Sequence, residues 1–135
     1  MMAIRLGGTG DMTSQSTLWK YFRNIPQLPS PVIVGEKLFM ISDQGIVSSL
    51  NTTSGQLIKR GRLQGAEGNI YASPVVADNK IFFITEDGKV AITDTSSEFN
   101  VLSVTQFKER CYATPAFDRD RIYIRTEKAL YAFGK

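Results

Sequence analysis

The chain has 135 residues, of which 42% are hydrophobic and 21% are charged, and its 16 basic and 13 acidic side chains leave a net charge of +3. This charge is too small to indicate a nucleic-acid partner, and no apolar run is long enough to span a membrane. The sequence has no histidine, which removes the usual triad base and most zinc sites, and its single cysteine excludes an internal disulfide.

Residues 1–29 form an N-terminal segment with one predicted strand at residues 17–22. The glycine-rich stretch Gly7 to Gly10 lacks the Gly-Lys-Ser/Thr ending of a phosphate-binding loop, so it predicts a flexible turn. Leu18, Trp19 and Tyr21 give the strand a large apolar and aromatic surface. We therefore expect this strand to close a sheet elsewhere in the chain or in a partner.

The rest of the chain repeats one pattern three times. The copies open at Ser30-Pro31-Val32, Ser73-Pro74-Val75 and Thr114-Pro115-Ala116, which are 43 and 41 residues apart. This period is typical of the four-stranded blades of β-propellers. The sequence thus predicts an all-β propeller fragment of about three antiparallel blades: blade one at 30–70, blade two at 71–111 and an incomplete blade three at 112–135.

Each copy is expected to contain short strands joined by tight turns. The second strands are apolar on both alternating faces, which indicates that they are covered from both sides, as in stacked sheets. Acidic-glycine turns at 43–45 and 86–88 predict hairpins, whereas residues 127–129 have no glycine and must turn differently. The predicted second, third and fourth strands are 37–42, 46–50 and 56–60 in copy one, 80–85, 89–93 and 101–107 in copy two, and 121–126 and 130–133 in copy three.

These motifs resemble a known repeat. Ser73-Pro74-Val75-Val76, an aromatic-rich strand and Asp87-Gly88, together with the turn Thr53-Ser54-Gly55, are similar to the quinoprotein-like repeat of pyrroloquinoline-quinone dehydrogenases. The same repeat occurs in propellers that bind no quinone, including the outer-membrane assembly lipoprotein and uncharacterised secreted bacterial proteins. The resemblance covers about residues 3 to 134 and implies a fold rather than a function.

The resemblance implies a tryptophan in the fourth strand that docks onto the neighbouring blade. Only Trp19 preserves this motif, and Lys59 stands at the equivalent place after Gly55. The sequence therefore predicts that docking between the blades relies on other aromatic and aliphatic side chains. The aromatic residues expected in this role are Phe39, Phe82, Phe83 and Tyr123.

Quinone binding in the related dehydrogenases implies a calcium ion, a general-base aspartate, a stacking tryptophan and often a vicinal cysteine pair. This chain has one tryptophan and one cysteine, and Cys111 reads as a buried, inert thiol beside Tyr112. We predict no cofactor and a non-catalytic scaffold that binds a protein or a ligand. The alternative is the C-terminal part of a longer quinoprotein dehydrogenase or other propeller enzyme, with its active site in other blades.

Three residues are candidates for a binding site at the mouth of the propeller channel. Tyr71 and Tyr112 both lie two residues before the start of a blade, where the first copy has Leu28. They either line a binding mouth or cap the core. Arg125 stands in a column otherwise filled by isoleucine. It either binds an anion in the channel or forms a structural salt bridge, with Glu127 or Glu86 as the expected partner.

Three blades are fewer than the four to eight of closed propellers. If each terminal face exposes about five large apolar side chains at about 1.5 to 3 kcal/mol each, the missing burial is on the order of 10 kcal/mol. We expect either a piece of a longer propeller or two copies joined head to tail into a six-bladed ring. In both cases Leu18, Trp19 and Tyr21 would belong to the strand that completes blade three.

The compartment is not determined by the sequence. Residues 1–12 lack the hydrophobic stretch of a signal peptide, which taken alone predicts a protein that stays in the cytoplasm. Proteins with this kind of repeat are usually exported. The lack of a signal peptide in a chain with a repeat of usually exported proteins favours the hypothesis that the chain is part of a longer protein.

Overall fold

A computed structural model describes residues 1–134, which form thirteen strands and no helix. None of these residues therefore belongs to a helix that could cross a membrane. The strands group into four antiparallel sheets, each built from strands that are consecutive in sequence. The first sheet is two-stranded and contains β1 (Met2–Ile4) and β2 (Thr17–Lys20).

The other three sheets are antiparallel blades, which confirms the fold as a propeller fragment. Blade one contains β3 (Val32–Val34), β4 (Lys37–Ile41), β5 (Ile46–Asn51) and β6 (Leu57–Arg62). Blade two contains β7 (Val75–Ala77), β8 (Lys80–Ile84), β9 (Lys89–Asp94) and β10 (Val101–Gln106). Blade three contains β11 (Ala116–Asp118), β12 (Arg121–Arg125) and β13 (Leu130–Phe133).

A glycine and a hydroxyl fix the hairpin between the second and third strands. Gly45 and Gly88 adopt φ values of 76° and 86°, which residues with a side chain rarely do. A Cβ atom at Gly88 would lie 2.3 Å from the carbonyl oxygen of Glu109, so the neighbouring loop can approach only a glycine. The buried Thr85 hydroxyl accepts the N–H of Lys89 at 2.9 Å and closes the turn.

Blade three turns differently, as its sequence predicts. The Thr126 N–H donates to the Ala129 carbonyl at 2.9 Å, and the Ala129 N–H donates to the Thr126 hydroxyl at 3.1 Å. These partners are three residues apart, whereas Thr85 and Lys89 are four apart. The shorter turn needs no glycine.

Three apolar cores lie between neighbouring sheets, which explains why the second strands are apolar on both faces. The first core joins the two-stranded sheet to blade one, the second joins blades one and two, and the third joins blades two and three. Characteristic members of these cores are Leu38, Met40 and Trp19 in the first core, Phe39, Phe83 and Phe99 in the second, and Phe82, Cys111 and Ile124 in the third.

Tyr123, predicted to dock between blades, instead lies on the outer face of blade three, opposite to its neighbours Ile122 and Ile124.

A chain of hydrogen bonds joins the openings of the three blades. The Ser30 N–H donates to the Ser73 hydroxyl at 2.9 Å, and the Ser73 N–H donates to the Thr114 hydroxyl at 3.0 Å. The Ser73 hydroxyl thus accepts from blade one, and the Ser73 N–H donates to blade three.

The N-terminal segment contains two strands where the sequence predicted one. β2 pairs with β1, with Trp19 opposite Ala3. β1 has only three residues and leads into the glycine-rich turn, so it carries too little pattern to be recognised. Because β1 already occupies one edge of β2, the predicted addition of this strand to blade three would have to use its other edge or replace β1.

Candidate functional site

The loops before each blade and the hairpins between second and third strands meet at one end of the blades, here called the top face. The loop before blade two inserts between two hairpins, since the Ile70 N–H donates to the Asp43 carbonyl at 3.0 Å and the Glu86 N–H donates to the Asn69 carbonyl at 2.7 Å. These bonds hold the top-face side chains in place. The loop before blade three makes the equivalent bonds, from Cys111 N–H to Glu86 carbonyl at 3.0 Å and from Glu127 N–H to Arg110 carbonyl at 2.9 Å.

The structure brings Tyr71 and Tyr112 together on this face. Their ring centroids are 5.7 Å apart and the rings are tilted by 37°. The Tyr112 hydroxyl donates to Glu86 Oε1 at 3.1 Å and accepts from Arg110 Nη1 at 3.3 Å, while Asn69 Nδ2 donates to Glu86 Oε2 at 3.2 Å. Tyr112 remains 48% exposed, so the pair presents aromatic surface to solvent in a fixed orientation.

A polar cleft of about 540 Å³ lies beside the tyrosine pair, between blades two and three. Four carboxylates and three basic side chains line it, so neither sign of charge dominates. Glu86 and Arg110 belong both to the cleft and to the tyrosine network, which makes one continuous surface. The lining residues are Gly68, Asn69, Glu86, Asp87, Lys108, Glu109, Arg110, Glu127 and Lys128.

Two of the cleft carboxylates are held in the ionised form. The hydrogen bond from the Thr126 hydroxyl keeps the pKa of Glu109 below its usual value. Burial alone would raise the pKa of Asp87, but hydrogen bonds from Thr85 and Lys89 outweigh it and lower that pKa. Neither group is therefore suited to act as a general acid at neutral pH. Both are suited to pairing with cations.

Arg125 lies apart from the cleft, on the outer face of blade three. The predicted salt bridge to Glu127 or Glu86 is wrong, because no ion pair within residues 1–134 includes Arg125. Glu86 instead lies 3.9 Å from Arg110. Arg125 and Tyr112 both line a small cavity of about 230 Å³. The guanidinium therefore lies at the edge of the predicted binding mouth.

The residues predicted to complete blade three, Leu18, Trp19 and Tyr21, point to opposite sides of the sheet formed by β1 and β2. The Trp19 indole donates to the Thr52 carbonyl at 2.7 Å, and its ring lies against Gly55, at which a Cβ atom would be 2.5 Å away. Tyr21 packs with Trp19 against the core of blade one. Leu18 points away and is 51% exposed. Trp19 thus performs the docking that the repeat resemblance implies.

Sequence reasoning missed how Lys59 replaces the repeat's tryptophan. Lys59 Nζ donates to the Glu98 carbonyl at 3.0 Å and to Glu98 Oε2 at 2.8 Å, and it lies 5.0 Å from the Phe99 ring centroid. Like the Trp19 indole, the ammonium donates to a backbone carbonyl in the loop before the fourth strand of the next sheet. The available signal was Phe99, an aromatic residue in the loop before a fourth strand. An ammonium and a ring from the next blade together take the place of one indole.

The remaining reactive groups are structural. Cys111 is fully buried, and burial raises the pKa of its thiol, as expected for an inert cysteine. Within residues 1–134, no three potential ligands among Asp, Glu and Cys side chains are close enough to hold a metal ion. The chemistry of the top face is therefore that of hydrogen bonds, ion pairs and aromatic contact.

The family profile described as outer membrane protein assembly factor BamB matches residues 11–135. The chain belongs to the BamB family. No curated protein matches this BamB-family chain significantly. Among solved structures, it is similar to BamB from Moraxella catarrhalis, with 18% identity and a TM-score of 0.67 over 92% of this chain and 41% of that chain.

Two further structures share the fold. The computationally designed Ika8 protein has 14% identity and a TM-score of 0.61 over 78% of this chain and 32% of its own. The quinohemoprotein alcohol dehydrogenase ADHIIG from Pseudomonas putida HK5 has 13% identity and a TM-score of 0.62 over 79% of this chain and 19% of its own. Similarity at these identities concerns the fold alone. The chain spans about two fifths of the Moraxella BamB chain.

Proposed function

We propose that this BamB-family chain is a non-catalytic scaffold that binds a protein partner through its top face. The observation that carries the proposal is the Tyr71–Tyr112 pair, which Glu86 and Arg110 hold at the edge of the polar cleft. Tyrosine and arginine are the side chains that most often dominate protein interfaces. The mixed charges of the cleft suit an extended polypeptide better than a small apolar ligand.

The family adds independent support, since its description names the assembly of outer membrane proteins. A scaffold of this kind needs a rigid recognition surface rather than a reactive group. The top face has such rigidity because its loops are bonded to the hairpins of both adjacent blades. Membership of the family does not by itself identify the partner.

The residues of this chain do not fit the quinone cofactor of the related dehydrogenases. The single tryptophan, Trp19, is bonded to Thr52 and packs its ring against Gly55 and the core of blade one, so it already serves to dock the first sheet. Cys111 is buried and has no second cysteine beside it. We therefore derive no catalytic step through this cofactor.

Selection of peptides from a phage-displayed library against the immobilised chain tests the proposal. Selected peptides should lose at least about tenfold in affinity for the double variant Tyr71→Ala/Tyr112→Ala, because each tyrosine contributes about 1 kcal/mol or more at a hot spot. Leu28→Ala is the matched control, since Leu28 holds the same repeat position away from the cleft. Equal binding to the double variant, or no enrichment on the wild type, would overturn the proposal.

Quinone binding by this chain itself has a separate measurement. We expect titration of the chain with pyrroloquinoline quinone and calcium to produce no saturable change in quinone absorbance. Saturable binding, together with dye-linked alcohol oxidation, would replace the scaffold with a quinoprotein function.

A further inference from the structure

The top face contains two interfaces between blades that can be compared position by position. The Glu86 N–H donates to the Asn69 carbonyl between blades one and two, and the Glu127 N–H donates to the Arg110 carbonyl between blades two and three. These two bonds are equivalent, so they fix which residues of the two interfaces correspond. The corresponding pairs are Glu67 with Lys108, Asn69 with Arg110, Glu86 with Glu127 and Asp87 with Lys128.

Three of these positions differ in charge between the two interfaces. Between blades one and two they carry two carboxylates and an amide, whereas in the cleft between blades two and three all three are basic and exposed. The backbone bonds are the same in both interfaces, so the fold itself does not require positive charge at these positions. The three basic residues are Lys108, Arg110 and Lys128.

The interface between blades one and two contains its own counterion. Lys89 Nζ lies 3.0 Å from Asp87 Oδ2 and donates to the Glu67 carbonyl at 3.2 Å. Ala129 takes the place of Lys89 in blade three, because the N–H of each donates to the hydroxyl that closes its hairpin. The cleft therefore has the opposite charges at these positions and no charged side chain where the earlier interface has its counterion.

The carboxylates that line the cleft are largely engaged with other groups. Glu86 and Glu109 each accept two hydrogen bonds from side chains of the chain itself. Within residues 1–134, neither Lys108 nor Lys128 forms an ion pair, and Arg110 approaches Glu86 only to 3.9 Å. The basic side chains thus keep donors that a ligand can use.

We infer that the cleft takes an acidic segment of the partner protein, whose carboxylates pair with Lys108, Arg110 and Lys128. The inference rests on the proposed function, because the cleft adjoins the Tyr71–Tyr112 pair, and it adds the charge of the segment that is bound. A guanidinium and two ammonium groups form charge-assisted hydrogen bonds with carboxylates. Such complementarity determines which partner is selected more than how tightly it binds.

Two synthetic peptides probe the cleft. One carries a tyrosine between glutamates within a glycine-serine sequence, and the other has glutamine in place of each glutamate. Fluorescence anisotropy at low ionic strength should give the glutamate peptide a Kd at least about fivefold lower, because exposed ion pairs each contribute modestly and three are formed. The difference should shrink as salt is added, since salt screens exposed charges.

The double variant Lys108→Glu/Lys128→Asp is decisive, because it introduces the residues that stand at the same positions one blade earlier. It should bind the glutamate peptide more weakly than the glutamine peptide and should prefer a peptide with lysine in their place. Lys108→Gln/Lys128→Gln removes the charges without reversing them and should abolish the preference for glutamate. Glu127→Gln is the matched change of opposite sign in the same cleft, and it should strengthen binding of the glutamate peptide about twofold.

Equal binding of the glutamate and glutamine peptides to the wild type, or an unchanged preference in both lysine variants, would overturn the inference. Displacement of the glutamate peptide by inorganic phosphate at a similar concentration would assign the cleft to a small anion instead. The scaffold proposal fails separately. Selected peptides that depend on Tyr71 and Tyr112 but bind Lys108→Gln/Lys128→Gln as tightly as the wild type would support the scaffold and contradict the acidic segment.

Discussion

At the scale of single residues, buried hydroxyls stabilise the hairpin turn of each repeat. Ser42, Thr85 and Thr126 are all buried at the end of a second strand, and each accepts a backbone N–H across the following turn. Two of them also bind a carboxylate, Thr85 to Asp87 and Thr126 to Glu109. Thr85 and Thr126 thus each stabilise a hairpin and hold a carboxylate of the top face at the same time.

Replacing Thr85 by valine should destabilise the chain by about 1 to 2 kcal/mol at neutral pH, because the Lys89 N–H loses its acceptor in a buried site. The pKa of Asp87 lies below its usual value of 3.8 in the folded chain. Its stabilising contribution is therefore present above that value and is lost as the pH falls through the lowered pKa.

Urea unfolding of wild type and Thr85→Val between about pH 7 and pH 2 measures both effects. Stability should fall less steeply below about pH 4 in the variant, since part of the Asp87 contribution is already gone. Thr53→Val, at an exposed turn position, is the control and should change stability little. A variant with wild-type stability at neutral pH would contradict the assigned role of Thr85.

At the scale of elements, the sheets are joined by one side chain that reaches a backbone carbonyl of the next unit. Trp19 with its indole and Lys59 with its ammonium each donate to a carbonyl in the loop before the fourth strand of the next sheet. The exchange explains why a lysine is accepted where the repeat has tryptophan. The partner loop compensates with Phe99 and Glu98.

Trp19→Ala should release the first sheet while the blades stay folded. β1 and β2 contain only seven residues and reach the rest of the chain mainly through Trp19 and Tyr21, so loss of the ring removes most of the apolar contact. Hydrogen exchange should accelerate at residues 2–4 and 17–20 and remain slow in β4, β5, β8 and β9. Leu18→Ala, on the exposed side of the same strand, should leave exchange unchanged; cooperative loss of all protection in Trp19→Ala would show that the sheet is not separable.

Strands were the part of the structure that the sequence predicted best. The repeat places equivalent residues in equivalent strands, so alignment of three copies located β4, β5, β8, β9, β12 and β13 with small errors at their ends. The Tyr71–Tyr112 contact was also foreseeable, because both residues hold one repeat position. The cleft, the Lys59 contacts and β1 were not foreseeable, since they depend on loop conformations and on a short strand that no other copy repeats.

At the scale of the whole molecule, the two terminal faces are less apolar than the sequence predicted. The outer face of the first sheet exposes Met2, Ile4 and Leu18 by 57%, 53% and 51%. The outer face of blade three carries Tyr123, Leu130 and Arg125 among its larger side chains. A second copy in the predicted head-to-tail ring would bring Arg125 against an apolar surface, where an unpaired charge is costly.

Arg125→Ile should therefore strengthen head-to-tail association at least about tenfold. The substitution restores the isoleucine found at the equivalent positions, Ile41 and Ile84, which are both buried. Sedimentation across a dilution series would measure the dissociation constant, with Lys128→Ile as a charge-matched control on the top face. Unchanged association in Arg125→Ile, or a tight wild-type dimer that the substitution weakens, would contradict the expected role of Arg125.

The hydrogen bonds between blade openings also impose a symmetry on any assembly. Ser30 donates to Ser73 and Ser73 donates to Thr114, so every interface has a donor on one side and an acceptor on the other. Two identical faces of blade three, related by a two-fold axis, would set one Thr114 N–H against another with no acceptor between them. We therefore expect isologous pairing through this face to be disfavoured and growth of the propeller to be heterologous, with every unit added in the same rotational sense.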